Sequence, residues 1–195
     1  ELRDLWPESI KTVGAMKQGK VIDILEKIEL GLYKSCNNVA VLTDAFKTNL
    51  INRGIDANKI EVVTNGSNVE LFSAREKNQE LLKSLGLENK FIIGYIGTHG
   101  MAHSLDFIVT SISKIDDEDI HFLFIGDGAM KEKVLEIAND LKIKNATFLN
   151  PIKKEEVPEY LNICDISLAP LKKEDNFKTV IPSKIFEASA MRKPT

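Results

Sequence analysis

The chain has 195 residues, 43% of them hydrophobic and 28% charged, a composition that fits a soluble globular protein of one or two domains. Its 26 lysines and arginines are scattered among 29 acids for a net charge of −3, which gives no reason to expect a nucleic-acid partner. No apolar run approaches the ~20 residues a membrane span needs, Glu1-Leu2-Arg3-Asp4 is no signal peptide, and two cysteines far apart, Cys36 and Cys164, point to a reducing compartment rather than a disulfide framework and, at helix-to-strand junctions, are expected to be buried small residues.

Val21, Ile24, Leu25, Ile28 and Leu32 recur at helical spacing and predict an amphipathic helix over 19–35. Val39-Ala40-Val41-Leu42 reads as a buried strand, followed by a helix capped by Thr43 or Asp44 that stops near Gly54. Ile60-Glu61-Val62-Val63 is a second strand, ending at the turn signal Asn65-Gly66. A helix over 76–85 is stopped by Gly86. Strand and helix then alternate: strands at 91–96, 121–125, 146–149 and 165–169, helices at 104–114, 129–141, 155–163 and 183–192. The strands are apolar on both faces, so the predicted fold is α/β with a parallel sheet covered on both sides. Ligands in such folds bind outside the carboxyl ends of the strands, which directs attention to the loops after residues 96, 125, 149 and 169.

The first of these loops holds Gly97, Thr98, His99 and Gly100. Its two glycines suit either close approach of a phosphate or a tight strand-to-helix turn. The spacing is not the dinucleotide fingerprint Gly-x-Gly-x-x-Gly. His99 and His103 stand four apart, but the loop breaks the helical register between them and no acid is near, so a diphosphate donor role suits His99 better than metal ligation. Gly126-Asp127-Gly128 makes a sharp exit from the next strand, serving as a structural turn or as a ligand contact. Asn150-Pro151-Ile152 follows the third strand and can offer backbone groups to a flat base edge.

The last loop leads into Pro182-Ser183-Lys184-Ile185-Phe186-Glu187. A helix N-terminus with a lysine beside it is a good seat for phosphate. Ser183 and Glu187 share one helical face at i and i+4, and Glu187 is not needed as a capping partner because Phe186 stands three residues after Ser183. A Lys184–Glu187 surface pair is the plainer reading of the same residues. Lys193-Pro194-Thr195 should lead into a further strand, and no initiator methionine is present, so the expectation is a piece cut at both ends.

In order and spacing these segments resemble the retaining sugar-nucleotide glycosyltransferases of family 4, which have the GT-B fold of two facing Rossmann-like domains. Ile60 to Asn68 with Phe72 resembles the segment joining the domains. Gly94-Tyr95-Ile96-Gly97-Thr98 resembles the first strand and diphosphate loop of the donor domain, and Phe122 to Gly128 its second strand and turn. Val157 to Leu161 with Asp165 to Pro170 resembles the next helix and strand, and Pro182-Ser183-Lys184 through Glu187, with Lys193-Pro194, the donor-binding helix. Asp4-Leu5-Trp6-Pro7-Glu8-Ser9 is similar to a branch that adds amino sugars to bacterial surface glycans. Two positions depart from the pattern. The family often carries two glutamates eight apart; Glu187 fits the second, but position 179 is threonine. The diphosphate loop also lacks the Arg or Lys that many relatives place just beyond the glycine.

The resemblance implies that 1–66 ends an acceptor domain and that 67–195 is most of a nucleotide-sugar donor domain, incomplete at its C-terminus. It implies transfer of a sugar, an N-acetylated amino sugar, from a UDP-sugar to a glycan or lipid-linked acceptor with retention, by a cytoplasmic enzyme with peripheral contact at the inner face of the membrane. Lys184 and Glu187 would carry the catalytic stabilisation. Gly97, Thr98, His99, Gly126, Pro151, Ile152, Ser183, Lys184 and Glu187 would bind the donor, with Lys184 as the cation for the diphosphate and Glu187 holding the ribose hydroxyls. No metal and no further cofactor is required, and the piece by itself is expected to be inactive. The rival readings are a UDP-sugar epimerase of the same fold and a nucleotide-binding module without chemistry.

Overall fold

In the computed structural model, which describes residues 1–195 apart from Val13 and Lys17, every strand pairing among the described residues is parallel. The chain forms two units, Glu1–Asn65 with Lys173–Ile181, and Gly66–Lys172 with Pro182–Thr195.

The first unit contains α1 (Glu8–Thr12), α2 (Lys20–Ser35), β1 (Val39–Val41), α3 (Asp44–Asn52) and β2 (Ile60–Val62). β1 pairs with β2, and Leu2 bridges to Val41. Thr43 is the cap of α3, its hydroxyl accepting from the Phe46 amide at 3.2 Å. Phe46, Leu50, Ile55 and Ile60 build the core with Leu2, Leu5, Val39 and Val41. The short segment Lys173–Ile181 returns here: Val180 packs on that core, and the Thr43 hydroxyl donates to the Thr179 carbonyl at 3.1 Å.

The helix predicted over 19–35 is present, but the packed face differs. Val21, Ile24, Ile28 and Leu32 are more than half exposed, whereas Ile22 and Glu29 are buried. Leu30 and Tyr33 are the α2 side chains that meet the core. Glu29 is held there by the Arg53 guanidinium and by the Tyr33 hydroxyl, which donates at 2.7 Å, so a carboxylate occupies a place the apolar pattern does not reveal. Cys36, predicted to be buried, is exposed, because α2 ends beside it in an extended turn; Cys164 is buried.

The second unit contains α4 (Gln79–Leu85), β3 (Phe91–Ile96), α5 (Leu105–Ile112), β4 (Ile120–Ile125), α6 (Lys131–Asp140), β5 (Ala146–Leu149), α7 (Val157–Ile163), β6 (Ile166–Ser167) and α8 (Ser183–Ala190). The sheet order is β5-β4-β3-β6. Alternation along the strands builds two cores, one on each face. Tyr95, Phe122 and Phe124 pack with Leu105, Val109 and Ile112 of α5 and Val134 of α6. Ile92, Leu123 and Ile125 face the other way, onto Leu82 of α4 and Ile163 of α7. Both faces are therefore covered, as the apolar strands predict. β6 is shorter than the predicted 165–169; at its start the Asp165 carboxylate takes the Ile92 amide at 2.8 Å. α8 is anchored at its far end: Met191 packs with Phe72 and Leu161, and the Ser167 amide donates to the Pro194 carbonyl at 2.8 Å.

Candidate functional site

The carboxyl ends of β3, β4 and β5 open into a cleft of about 280 Å³ within the second unit. Its walls are Ile96, Gly97 and Thr98 after β3, Ile125, Gly126 and Asp127 after β4, Pro151 and Ile152 after β5, and Val157 of α7. Five of the predicted site residues, Gly97, Thr98, Gly126, Pro151 and Ile152, thus share one cavity. Its lining is mostly aliphatic, with backbone bared at Gly97 and Gly126. That combination suits a flat ring gripped by main-chain groups, with a charged extension leading out.

Glycine is structurally required at Gly97 and Gly126. Both have φ in the left-handed half of backbone space, 142° and 144°. A Cβ on Gly126 would overlap the Gly97 carbonyl, and a Cβ on Gly97 would overlap the Lys184 side chain. The loops after β3 and β4 are therefore in backbone contact, and the lysine of α8 lies against the first of them.

Lys184 reaches this place from the first turn of α8. Its ammonium stands 5.4 Å from the centroid of the buried Tyr95 ring. Tyr95 is itself fixed, its hydroxyl donating to the Thr98 carbonyl at 2.5 Å. Among the described residues Lys184 has no ion-pair partner, Glu187 included, so the surface pair weighed from the sequence is not formed. Burial pushes the Lys184 ammonium below the usual lysine range, and the negative charge of Glu187 works against that shift. A half-buried cation without a bound carboxylate, beside a glycine loop, is chemically able to pair with an anion. Glu187 is half-buried one turn further along, while Ser183, the first residue of the helix, is exposed.

His99 does not reach the cleft through its ring. The imidazole is fully buried, 5.7 Å from Tyr95 between ring centroids, and neither ring nitrogen has a hydrogen-bond partner among the described residues. The cause is the backbone: the His99 amide donates to the Asp127 carbonyl at 2.8 Å, and its carbonyl accepts from the Met130 amide at 2.9 Å. These two bonds sew the loop onto the β4–α6 turn and direct the side chain inward. Burial and the nearby Lys131 hold the imidazole below its usual range, so it is neutral at pH 7. His103 is also kept low by burial; its Nδ1 lies 3.2 Å from the Pro170 carbonyl. Among the described residues no three His, Cys, Asp or Glu side chains converge as metal ligands would.

Sequence reasoning passed over Tyr95, the platform under Lys184, because an aromatic in a strand reads as core. It also passed over Lys131, one basic residue among many, whose only local mark is its place five residues after Gly126.

The family model for glycosyl transferases group 1 matches residues 90–195, more than half of the chain. A protein of Bacillus subtilis (strain 168) named as the teichuronic acid biosynthesis glycosyltransferase TuaH is 26% identical over 193 residues, covering 98% of this chain and 47% of that protein. The solved structure of WaaG, a glycosyltransferase involved in lipopolysaccharide biosynthesis, superposes with a TM-score of 0.76 at 13% identity, covering 98% of this chain and 53% of that one. The structure of Anabaena Alr3699/HepE in complex with UDP and glucose gives a TM-score of 0.72 at 17% identity over 86% of this chain and 46% of that one. The chain spans about half the length of the curated relatives it matches. The structural likenesses give the fold, an α/β parallel-sheet architecture of the GT-B type, and the family match gives the membership: this chain belongs to the glycosyl transferases group 1 family.

Proposed function

We propose that the second unit holds the donor of a retaining glycosyltransferase, a nucleoside-diphosphate sugar with uridine as the base. The observation that carries this reading is the meeting of Lys184 and Gly97. A cation delivered by the first turn of α8 lies against the glycine loop that also lines the cleft. The base and ribose would occupy the cleft, with the base edge on the backbone at Pro151 and Ile152. The diphosphate would lie over Gly97 and Thr98 and beneath Lys184, with the N-terminus of α8 and Ser183 adding donors. Glu187 would accept from the ribose hydroxyls. His99 would serve through the loop backbone it fixes. No metal is assigned a role.

In the transition state the sugar becomes an oxocarbenium-like cation while negative charge builds on the departing diphosphate. Donors already in place around that charge stabilise it without reorganisation. Lys184 is suited to this because it is half-buried, where a charge is poorly screened. The whole enzyme would use a glycan or lipid-linked saccharide as acceptor, in the cytoplasm at the inner face of the membrane. An N-acetylated amino sugar as the transferred group follows from the resemblance of the Asp4–Ser9 segment alone.

UDP in the neighbouring HepE complex supports the choice of base, as a property of that protein. The test is a thermal-shift panel of UDP, GDP, ADP and NAD at equal concentration. Binding to the native state alone stabilises by about 2.7 kcal/mol at a hundredfold excess over the dissociation constant. UDP is expected to raise the melting temperature most. A clear preference for NAD would reject the reading.

A further inference from the structure

Lys131 opens α6, yet its ammonium points back across the strand ends. Nζ lies 2.9 Å from the Gly126 carbonyl, 3.1 Å from Asn150 Oδ1 and 3.4 Å from the Leu149 carbonyl. An ammonium has three N–H donors, and these three acceptors use them all. The lysine therefore joins the exit of β4 to the exit of β5, whose own last link, the Gly126 amide to the Leu149 carbonyl, is long at 3.4 Å. Gly126 and Pro151, on either side of this lysine, are both walls of the cleft.

We infer that Lys131 is a positioning residue for the nucleoside: it clamps the β4 and β5 loops at the separation the base requires, and does not itself bind phosphate. This rests on the donor-site reading above. With its donors already committed, Lys131 has none to offer an incoming anion, in contrast to Lys184. A carbonyl held by an ammonium also fixes the Gly126–Asp127 peptide plane, which forms one wall of the cleft.

The test compares Lys131→Met, Lys131→Arg and a control, Lys133→Met, which removes only a surface pair between Lys133 of α6 and Asp106 of α5. Calorimetric titration with UDP and with uridine is combined with amide hydrogen exchange on the ligand-free chain. Lys131→Met is expected to weaken UDP and uridine by the same factor, about tenfold or more. It is also expected to speed exchange at Gly126, Gly128 and Ile152, while Lys133→Met does neither. Lys131→Arg, which keeps the charge and several donors, should recover most of the affinity. Loss of UDP binding with uridine retained would overturn the inference by making Lys131 a phosphate ligand. Unchanged exchange at those amides would overturn it by removing the clamp. A wild-type chain that takes neither ligand would instead overturn the donor-site reading, and the exchange measurement would still judge the clamp.

Discussion

The side chain of Lys184 lies where a Cβ on Gly97 would have to be. Two residues 87 positions apart thus form a single feature, a bare backbone loop covered by a cation. Gly97→Ala would force the lysine aside and place an L-residue at φ 142°. The expected cost is about 1–3 kcal/mol of stability, together with a loss of UDP affinity out of proportion to any loss for uridine. Chemical denaturation and calorimetry on one preparation check both parts. Equal weakening of the two ligands would place the diphosphate elsewhere.

Glu187→Gln keeps the shape of the side chain and removes its charge. If the carboxylate accepts from the ribose diol, UDP and uridine should weaken together by about 1.5–3 kcal/mol, the range for hydrogen bonds to charged groups. An effect on UDP alone would show that Glu187 acts on the diphosphate end, by way of Lys184.

His99→Leu separates the ring from the loop. The buried imidazole has no hydrogen-bond partner among the described residues, so replacing it with an apolar side chain should leave stability within about 1 kcal/mol of wild type or raise it. The pH dependence has a definite sign. The folded state keeps His99 neutral below its ordinary value of 6.5, while the unfolded chain takes up a proton there. Stability is therefore lost as pH falls below 6.5, and His103 and His121, also shifted down by burial, add to the loss. His99→Leu should flatten part of that slope in urea melts between about pH 7 and pH 5. Loss of UDP binding in a stable His99→Leu chain would restore a ligand role to the ring.

The depressed affinity of Lys184 for its proton gives a second pH signature. Its folded value lies below the ordinary 10.5, so the folded chain gains stability as pH rises from that lowered value towards 10.5. UDP binding runs the other way: it needs the cation, so affinity should fall at a lower pH than an ordinary lysine would allow, and binding should take up a proton as the pH approaches that lowered value. Titration in two buffers of different ionisation enthalpy measures that uptake directly. No uptake would mean that the bound anion leaves Lys184 untouched.

Elements with strong period were legible in the sequence. β3 and β5 match their predicted bounds, because the apolar run Phe91-Ile92-Ile93 and the largely apolar Ala146-Thr147-Phe148-Leu149 have little alternative in a sheet covered on both faces. The glycines of the cleft were legible as strand-end glycines, though a tight turn calls for them equally. What escaped depends on contacts distant in sequence. The return of Lys173–Ile181 to the first unit rests on Val180 against the core around Phe46, which no local pattern announces. The inward turn of His99 depends on two bonds to the β4–α6 turn, and the packed face of α2 depends on Glu29 meeting Arg53. In the last two cases a polar or backbone bond decided an orientation that hydrophobic periodicity leaves open.

Lys184→Met keeps most of the apolar stem over Tyr95 and removes only the cation, so it isolates the effect of the charge on the diphosphate. Calorimetric titration of UDP and uridine into wild type and Lys184→Met, at low and at moderate salt, is the direct measurement. UDP affinity should fall by about 1.5–3 kcal/mol, more at low salt than at moderate salt, while uridine binds both proteins alike. A Lys184→Met chain that binds UDP as wild type does would contradict the account.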